Sequence, residues 1–338
     1  MLGSNPMITN LLIGADISEQ WFDVCALRGK NPPVKRFDNN EAGHQEFLAW
    51  ARGFEAKNIH VAMEHTGGCE TKLALLCHAE NFRVSLLDGY KVAKFRETEG
   101  RAKAKTDKED AKLIAKFLKQ KKPALWSPHP EEYRILTELV RHRQDLVDSR
   151  KAWICRARMA PMSPFVAGQR ACQIDVYGEQ LKELEKEIFA HIRAHPQLDA
   201  DVKRLCTLTG IQKVSAIRIL AEMGPVANYK TPRDLALHAG LCPIANESGK
   251  SKPKGVLFPY GNRQLRNALY MPVIVALREE KELFEFAERI KANGAKASKT
   301  IITAAMRKLI QVIHGMLKSQ TDFDPQKFLK DMNRKATS

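Results

Sequence analysis

Leu11-Leu12-Ile13-Gly14-Ala15-Asp16 is a short apolar run that ends on a carboxylate, and Ile59-His60-Val61-Ala62-Met63-Glu64 repeats the pattern. Apolar runs of this length, bounded by turn residues, read as strands. Between them, Trp21–Leu27 and Val34–Phe37 supply two more short runs after turns. Glu41–Arg52 places Phe47, Leu48 and Trp50 at helical spacing and stops at Gly53. Beyond Glu64, Thr66-Gly67-Gly68 breaks the chain before a helix over about Glu70–Glu80 and a strand over Phe82–Leu87. Tyr90–Arg96 and the basic stretch Gly100–Lys105 then lead into a helix that opens near Asp107. Three strands, helix, strand, helix, strand, helix is the order of a mixed sheet layered with helices. This α/β domain is expected over 1–123, ending at Lys122-Pro123.

Asp16 and Glu64 stand at the C-terminal ends of their strands, where open α/β sheets build their sites. An acid ending a buried strand is costly unless it is solvated or bound to a cation. Asp107 and Asp110, three residues apart, share one face at the mouth of the closing helix. Two readings fit that pair. One is helix capping, favoured by the helix dipole. The other is a hard divalent cation such as Mg²⁺ held between carboxylates. Asp23, Glu70, Asp88, Glu97, Glu99 and Glu109 are further acids nearby, so pattern alone does not single out a set.

The second half is helical. Ala124–Pro130 is a Pro-containing linker, and from Glu131 an apolar stripe (Ile135, Leu136, Leu139, Leu146, Val147) runs among arginines. Pro161 and Pro164 interrupt it, and Ile174, Tyr177, Leu181, Leu184 and Ile188 follow at heptad spacing. This segment, 124–200, is expected to form a helical hairpin or a dimerising coiled coil, and its heptad spacing and charged flanks favour a role in oligomerisation over plain two-helix packing. Leu205–Ile217 resembles a helix-hairpin-helix turn with Gln212 in place of its second glycine; phosphate contact and plain helix packing both remain open. Residues 201–330 complete a mainly helical domain with helices at Arg233–Ala239, Gln264–Ala276, Glu282–Lys291 and Ser298–Lys318. A polar basic loop, Asn246–Gly255, sits between the first two.

The 338 residues carry a formal charge of +16, spread over Lys91–Lys122, Arg141–Arg158 and Lys250–Arg266. A folded chain of this balance meets a polyanion, with nucleic acid the default. Arg101, Lys103, Lys105, Lys250, Lys252, Lys254, Arg263 and Arg266 are the candidate phosphate contacts. No apolar run is long enough to span a membrane. The seven cysteines include no C-x-x-C pair and read as reduced thiols of a cytoplasmic protein. His191 and His195 have a zinc-like spacing, but no third ligand is near in sequence. Met1–Asn10 lacks a charged n-region and an apolar h-region, so no secretory leader is expected there.

The two acid-ended strands and Ala104-Lys105-Thr106-Asp107-x-x-Asp110-Ala111 resemble the catalytic domain of the DEDD transposases of bacterial insertion sequences, a RuvC-like, RNase H-like fold. Piv-type site-specific DNA invertases belong to the same group. The C-terminal half is similar too, at Ala239–Pro243, Glu247–Ser251, Gly261–Arg266 and Ala305–Leu309. The likeness runs in order from about Ile13 to Phe323. His65 replaces a common alanine, Asp88-Gly89 a common Asn-Pro, and Gln212 a common glycine.

The resemblance implies that Asp16, Glu64, Asp107 and Asp110 are catalytic, metal-binding acids for two Mg²⁺ ions, with Mn²⁺ as the alternative ion. It implies that Ser248, with Ser251 its nearby confounder, attacks DNA and forms a phosphoserine link. Serine needs activation by a base or a metal, and no His–Ser pairing is evident in the sequence. The implied partners are double-stranded donor and target DNA, a structured guide RNA and further copies of the chain in a dimer or tetramer, in the bacterial cytoplasm at the nucleoid. The expected activity is transposition. The alternatives are a Piv-like invertase using the same residues and a RuvC-like Holliday-junction resolvase that activates water instead of Ser248.

Overall fold

The computed structural model describes residues 10–99, 107–159, 163–244, 256–257, 261–292 and 298–325. The chain forms two compact units, 1–128 and 129–338.

In the first unit, β1 (Asn10–Ile17), β2 (Trp21–Ala26), β3 (Val34–Asp38), α1 (Glu41–Arg52), β4 (Asn58–Glu64), α2 (Thr71–Ala79), β5 (Arg83–Leu87), α3 (Gly89–Thr98) and α4 (Asp107–Lys121) follow in order. The sheet order is β3-β2-β1-β4-β5. The β1–β2 and β2–β3 pairs are antiparallel hairpin partners, while β4 and β5 run parallel to β1. The parallel pairs need crossovers, which α1 and α2 provide. Both helices lie on one face of the sheet, where Phe47, Leu48, Leu73 and Cys77 bury against Leu11, Ile13, Phe22, Val61 and Val84. Phe22, Phe37, Phe47 and Trp50 pack ring to ring there. Asn40 caps α1 by accepting from the Gly43 amide. This mixed α/β unit, followed by a mainly helical region, is the RuvC-like architecture expected from the sequence.

The opposite face is covered by α4. Strand side chains alternate, so Leu12, Gly14 and Asp16 of β1 share this face with Ala62 and Glu64 of β4. Gly14 lets α4 approach to backbone contact: a Cβ there would collide with the Ala115 amide and the Ala111 carbonyl. Leu113, Ile114, Phe117 and Leu118 pack with Ala62, Leu87 and Phe95. Past α4, Ser85 Oγ donates to Ala124 O (2.9 Å) and Trp126 N to Val84 O (2.7 Å). The C-terminus of α4 therefore sits at the start of β5. Its N-terminus, with Asp107 and Asp110, points to the end where β1 and β4 finish.

The second unit is built from α5 (Glu131–Ala157), α6 (Pro164–Ala194), α7 (Pro196–Leu205), α8 (Lys213–Met223), α9 (Pro232–His238), β6 (Pro243–Ile244), β7 (Val256–Leu257), α10 (Arg263–Glu279), α11 (Lys281–Ala292) and α12 (Ser298–Ser319). The pair α5–α6 is a hairpin within the chain, tied by Arg143–Glu185 (2.6 Å) and by Arg170 donating to Arg156 O (2.6 Å). The helical middle expected over 124–200 roots its base in a larger core. Tyr133, Leu136, Ile188 and Ile192 bury with Leu205, Leu220, Leu269 and Leu309. The α7–α8 turn uses Gly210 (φ 87°) for packing: a Cβ there would meet Pro272 O of α10 at 2.5 Å. A capping box of Thr231 and Asp234 opens α9.

Candidate active site

Asp16 and Glu64 lie one position beyond the last registered β1–β4 pair, Ala15–Met63. They are neighbours on the face that carries α4. The register extends the row across the sheet: Asp16 lies opposite Asp23 of β2, and Asp23 opposite Arg36 of β3. Arg36, Asp23, Asp16 and Glu64 thus form one transverse line over four strands.

Asp23 is 0% exposed. Arg36 donates to its Oδ2 from Nη2 (2.6 Å) and Nε (3.1 Å), while its buried Oδ1 has no partner. Glu64 has the room it needs because Gly89 lacks a Cβ that would strike Glu64 Oε1. The loop after Glu64 is fixed by Glu70, 1% exposed, whose carboxylate accepts from Thr66 N (3.2 Å), Thr66 Oγ1 (3.0 Å), Gly68 N (3.0 Å) and His65 Nδ1 (2.5 Å). Burial pushes the Glu70 carboxyl up, but these hydrogen bonds, that from His65 foremost, outweigh it and bring it down to about 2.

On α4, Asp110 is buried at 8% exposure, and Arg96 of α3 pairs with its Oδ1 at 2.8 Å. Asp107 opens the helix, and its side chain lies outside the described residues. Among the described side chains, no group of three or more His, Cys, Asp or Glu is placed to hold a metal ion. The chemistry of the donors nevertheless suits a hard cation. Carboxylate oxygens are its preferred ligands, like charges on neighbouring strands repel, and Asp23, in register with Asp16, keeps an oxygen without a donor.

Ser248, its neighbour Ser251, and Arg101, Lys103, Lys105, Lys250, Lys252 and Lys254 lie outside the described residues. The ends of the serine segment are described, and they meet. Pro243–Ile244 pairs antiparallel with Val256–Leu257. Gly240 packs against Gly261. Asn262 N donates to His238 O (2.8 Å) and Arg266 Nη1 to Ala239 O (2.9 Å).

Beneath this stem lies Glu222, whose two oxygens accept from Arg141 Nε and Nη2 (both 2.9 Å); Asn262 Nδ2 adds bonds to Oε2 (3.0 Å) and to Glu222 O (3.1 Å). Burial raises the Glu222 carboxyl, but the Arg141 and Asn262 hydrogen bonds bring it below its ordinary value. Arg263 is exposed, and burial lowers the Arg266 guanidinium with Arg263 adding to the shift. His191 and His195 bond backbone carbonyls, His191 to Glu132 O (2.8 Å) and His195 to His191 O (2.7 Å).

Asp23, Arg36, Arg96, Glu222 and Asn262 had no functional role on sequence grounds. Asp23 is visible as an acid inside the alternating run Trp21–Leu27, and strand register is what marks it. Glu222 and Arg141 are 81 residues apart and carry no local signal.

Comparison with known proteins finds relatives along most of the chain. Residues 13–160 match the IS110-type DEDD family described as "Transposase", and residues 202–291 match "Transposase IS116/IS110/IS902 family". The chain is similar to the pilin gene-inverting proteins of Moraxella bovis and Moraxella lacunata. Identity to each is 29% over 317 residues, covering 92% of this chain and 97% of each relative. It is also 27% identical over 165 residues to an uncharacterized 43.6 kDa protein of insertion element IS110 from Streptomyces coelicolor, covering 47% of this chain and 38% of that one. The first family segment runs from the acid row through α5, and the second spans the serine stem. With both in place, the chain belongs to the IS110/IS116 family of DEDD transposases, enzymes that cut and rejoin DNA.

Proposed function

We propose that this chain is a Mg²⁺-dependent recombinase that moves an insertion sequence between DNA sites through a phosphoserine intermediate. The observation that carries the reading is the acid row. Asp16 and Glu64 are neighbours at the ends of parallel strands, and the helix bearing Asp107 and Asp110 starts at that same end. In this reading Asp16, Glu64, Asp107 and Asp110 hold the metal, and Arg96 fixes the Asp110 carboxylate. When bound, the metal polarises the scissile phosphate and favours deprotonation of the attacking hydroxyl. Ser248 Oγ forms a bond to phosphorus as the bond to one deoxyribose oxygen breaks. A hydroxyl of a second strand then attacks the phosphoserine and frees Ser248. The energy of each broken link is kept in the next, so no external energy source enters.

Arg101, Lys103, Lys105, Lys250, Lys252, Lys254, Arg263 and Arg266 are assigned to the phosphate backbone. The +16 charge also suits a structured guide RNA as second partner. Rejoining two duplexes calls for more than one copy of the chain, a dimer or a tetramer acting at the nucleoid. The similarity to pilin gene-inverting proteins over 97% of their length supports a second reading, inversion of a fixed DNA segment by the same residues. Element ends and a foldable non-coding segment beside the gene would favour transposition over inversion.

The test is a covalent adduct. Protein with Mg²⁺ and cognate DNA is expected to yield a protein–DNA band on denaturing gels that is absent in Ser248→Ala. Asp107→Asn is expected to bind DNA without cutting it. Cleavage by Ser248→Ala, with no adduct in the parent protein, would replace this reading with a water-activating resolvase.

A further inference from the structure

Asp23 has no place in the four-acid scheme, yet its setting is unusual. It is fully buried on β2, on the face covered by α4, in register with Asp16. On its flank toward β3, Oδ2 of its two carboxylate oxygens accepts from Arg36. Oδ1 is left in the interior with no donor. Buried carboxylate oxygens are ordinarily satisfied, and a specific exception needs an explanation, of which a bound cation is one. The one registered neighbour on its other side is an acid, which cannot donate to it when ionised. A cation held at Asp16 would supply what Oδ1 lacks.

We infer that Asp23 is a fifth acid of the metal site, lending Oδ1 to the cation's coordination environment, and that Arg36 is the counter-charge that sets how much negative charge it lends. The inference rests on the metal role proposed for Asp16. Arg36, with 46% of its side chain exposed, is a positioning residue. It holds one carboxylate oxygen and leaves the other without a donor.

The experiment uses the full-length chain without nucleic acid and Mn²⁺ alone as probe. Affinity is measured by titration calorimetry, and the rise in melting temperature on adding Mn²⁺ by thermal unfolding. Asp23→Asn is expected to bind Mn²⁺ about 10-fold more weakly, the lower end for losing a group that supports metal ligands. Arg36→Gln is expected to show a larger Mn²⁺-induced rise in melting temperature than the parent, because the cation becomes the main counter-charge of Asp23. That gain should vanish in the double variant. Parent-like Mn²⁺ affinity in Asp23→Asn overturns the inference and leaves Asp23–Arg36 a structural pair. If Asp23→Asn does not fold, an unchanged Mn²⁺ response in Arg36→Gln overturns it equally. Asp16→Asn is the control. If it loses Mn²⁺ binding while Asp23→Asn keeps it, the four-acid reading stands without the fifth; if Asp16→Asn also binds normally, the metal reading itself falls.

Discussion

Gly240 and Gly261 touch backbone to backbone: a Cβ on Gly261 would fall against the amide and Cα of Gly240. The chain between them carries the proposed nucleophile, Ser248, so this contact closes the base of its stem. Gly261→Ala must separate the two strands of that stem, and overpacking of this kind costs about 1–3 kcal/mol. The expected outcome is a lower urea midpoint for the helical unit and a reduced yield of the DNA adduct, with DNA binding retained.

Gly14 plays the corresponding part in the first unit. It admits the Ala111–Ala115 turn of α4 directly onto β1. Gly14→Ala is expected to destabilise the unit by about 1–3 kcal/mol and to displace the first turn, where Asp107 and Asp110 begin. Strand cleavage should fall further than stability does, which parallel urea unfolding and cleavage assays would resolve.

Glu222 ties the serine stem to α5. Arg141→Ala leaves a buried carboxylate with Asn262 as its remaining side-chain donor, a loss of about 2–3 kcal/mol after allowing for the exposed side of Arg141. The folded pKa of Glu222 lies below its ordinary value of 4.5. Its contribution is therefore complete above about pH 4.5 and fades as pH falls through the folded value. Glu222→Gln should flatten that acid limb in a stability–pH series.

His60 gives the first unit an earlier acid response. Burial, helped by Arg83, lowers its pKa from 6.5 to about 4, and its Nε2 pairs with Ser85 Oγ at 2.9 Å. The unfolded chain takes up a proton near pH 6.5 and the folded one does not. Stability is thus complete above pH 6.5 and declines toward pH 4, by about 3 kcal/mol at 1.36 kcal/mol per pH unit. His60→Gln should remove this slope from unfolding measured between pH 7 and 4.

Arg263 and Arg266 are expected to separate in binding assays. Arg263 is exposed, whereas Arg266 donates to Ala239 O in the stem. Arg263→Ala should weaken DNA binding across sequences and reduce the salt slope by about 1. Arg266→Ala should lower the melting temperature and change that slope less.

The strand and helix order of the first unit was legible because its signals are local. Apolar runs end on acids, Gly53 ends a helix, and the Asp107–Asp110 spacing marks a helix mouth. What the sequence hid is register. Asp23 looked like one acid among several until β2 placed it opposite Asp16, and no spacing rule joins Arg141 to Glu222. The glycine of the hairpin-like turn left two readings open, and Gly210 proves to be spent on close packing against α10. Motif logic reports which residues occur together. Only the fold reports which of them share a face.

The sheet has two edges, and neither offers a bare ladder. At β5, Trp126 bridges to Val84 as the chain leaves α4. At the other rim β3 is five residues long, follows Pro32-Pro33, and exposes Lys35 and Arg36. Short charged rims and covering segments are how soluble sheets refuse a foreign strand. Arg36 therefore has a second occupation: the guanidinium that balances a buried acid also guards the rim against edge-to-edge aggregation, so replacing it exposes the chain to that hazard as well.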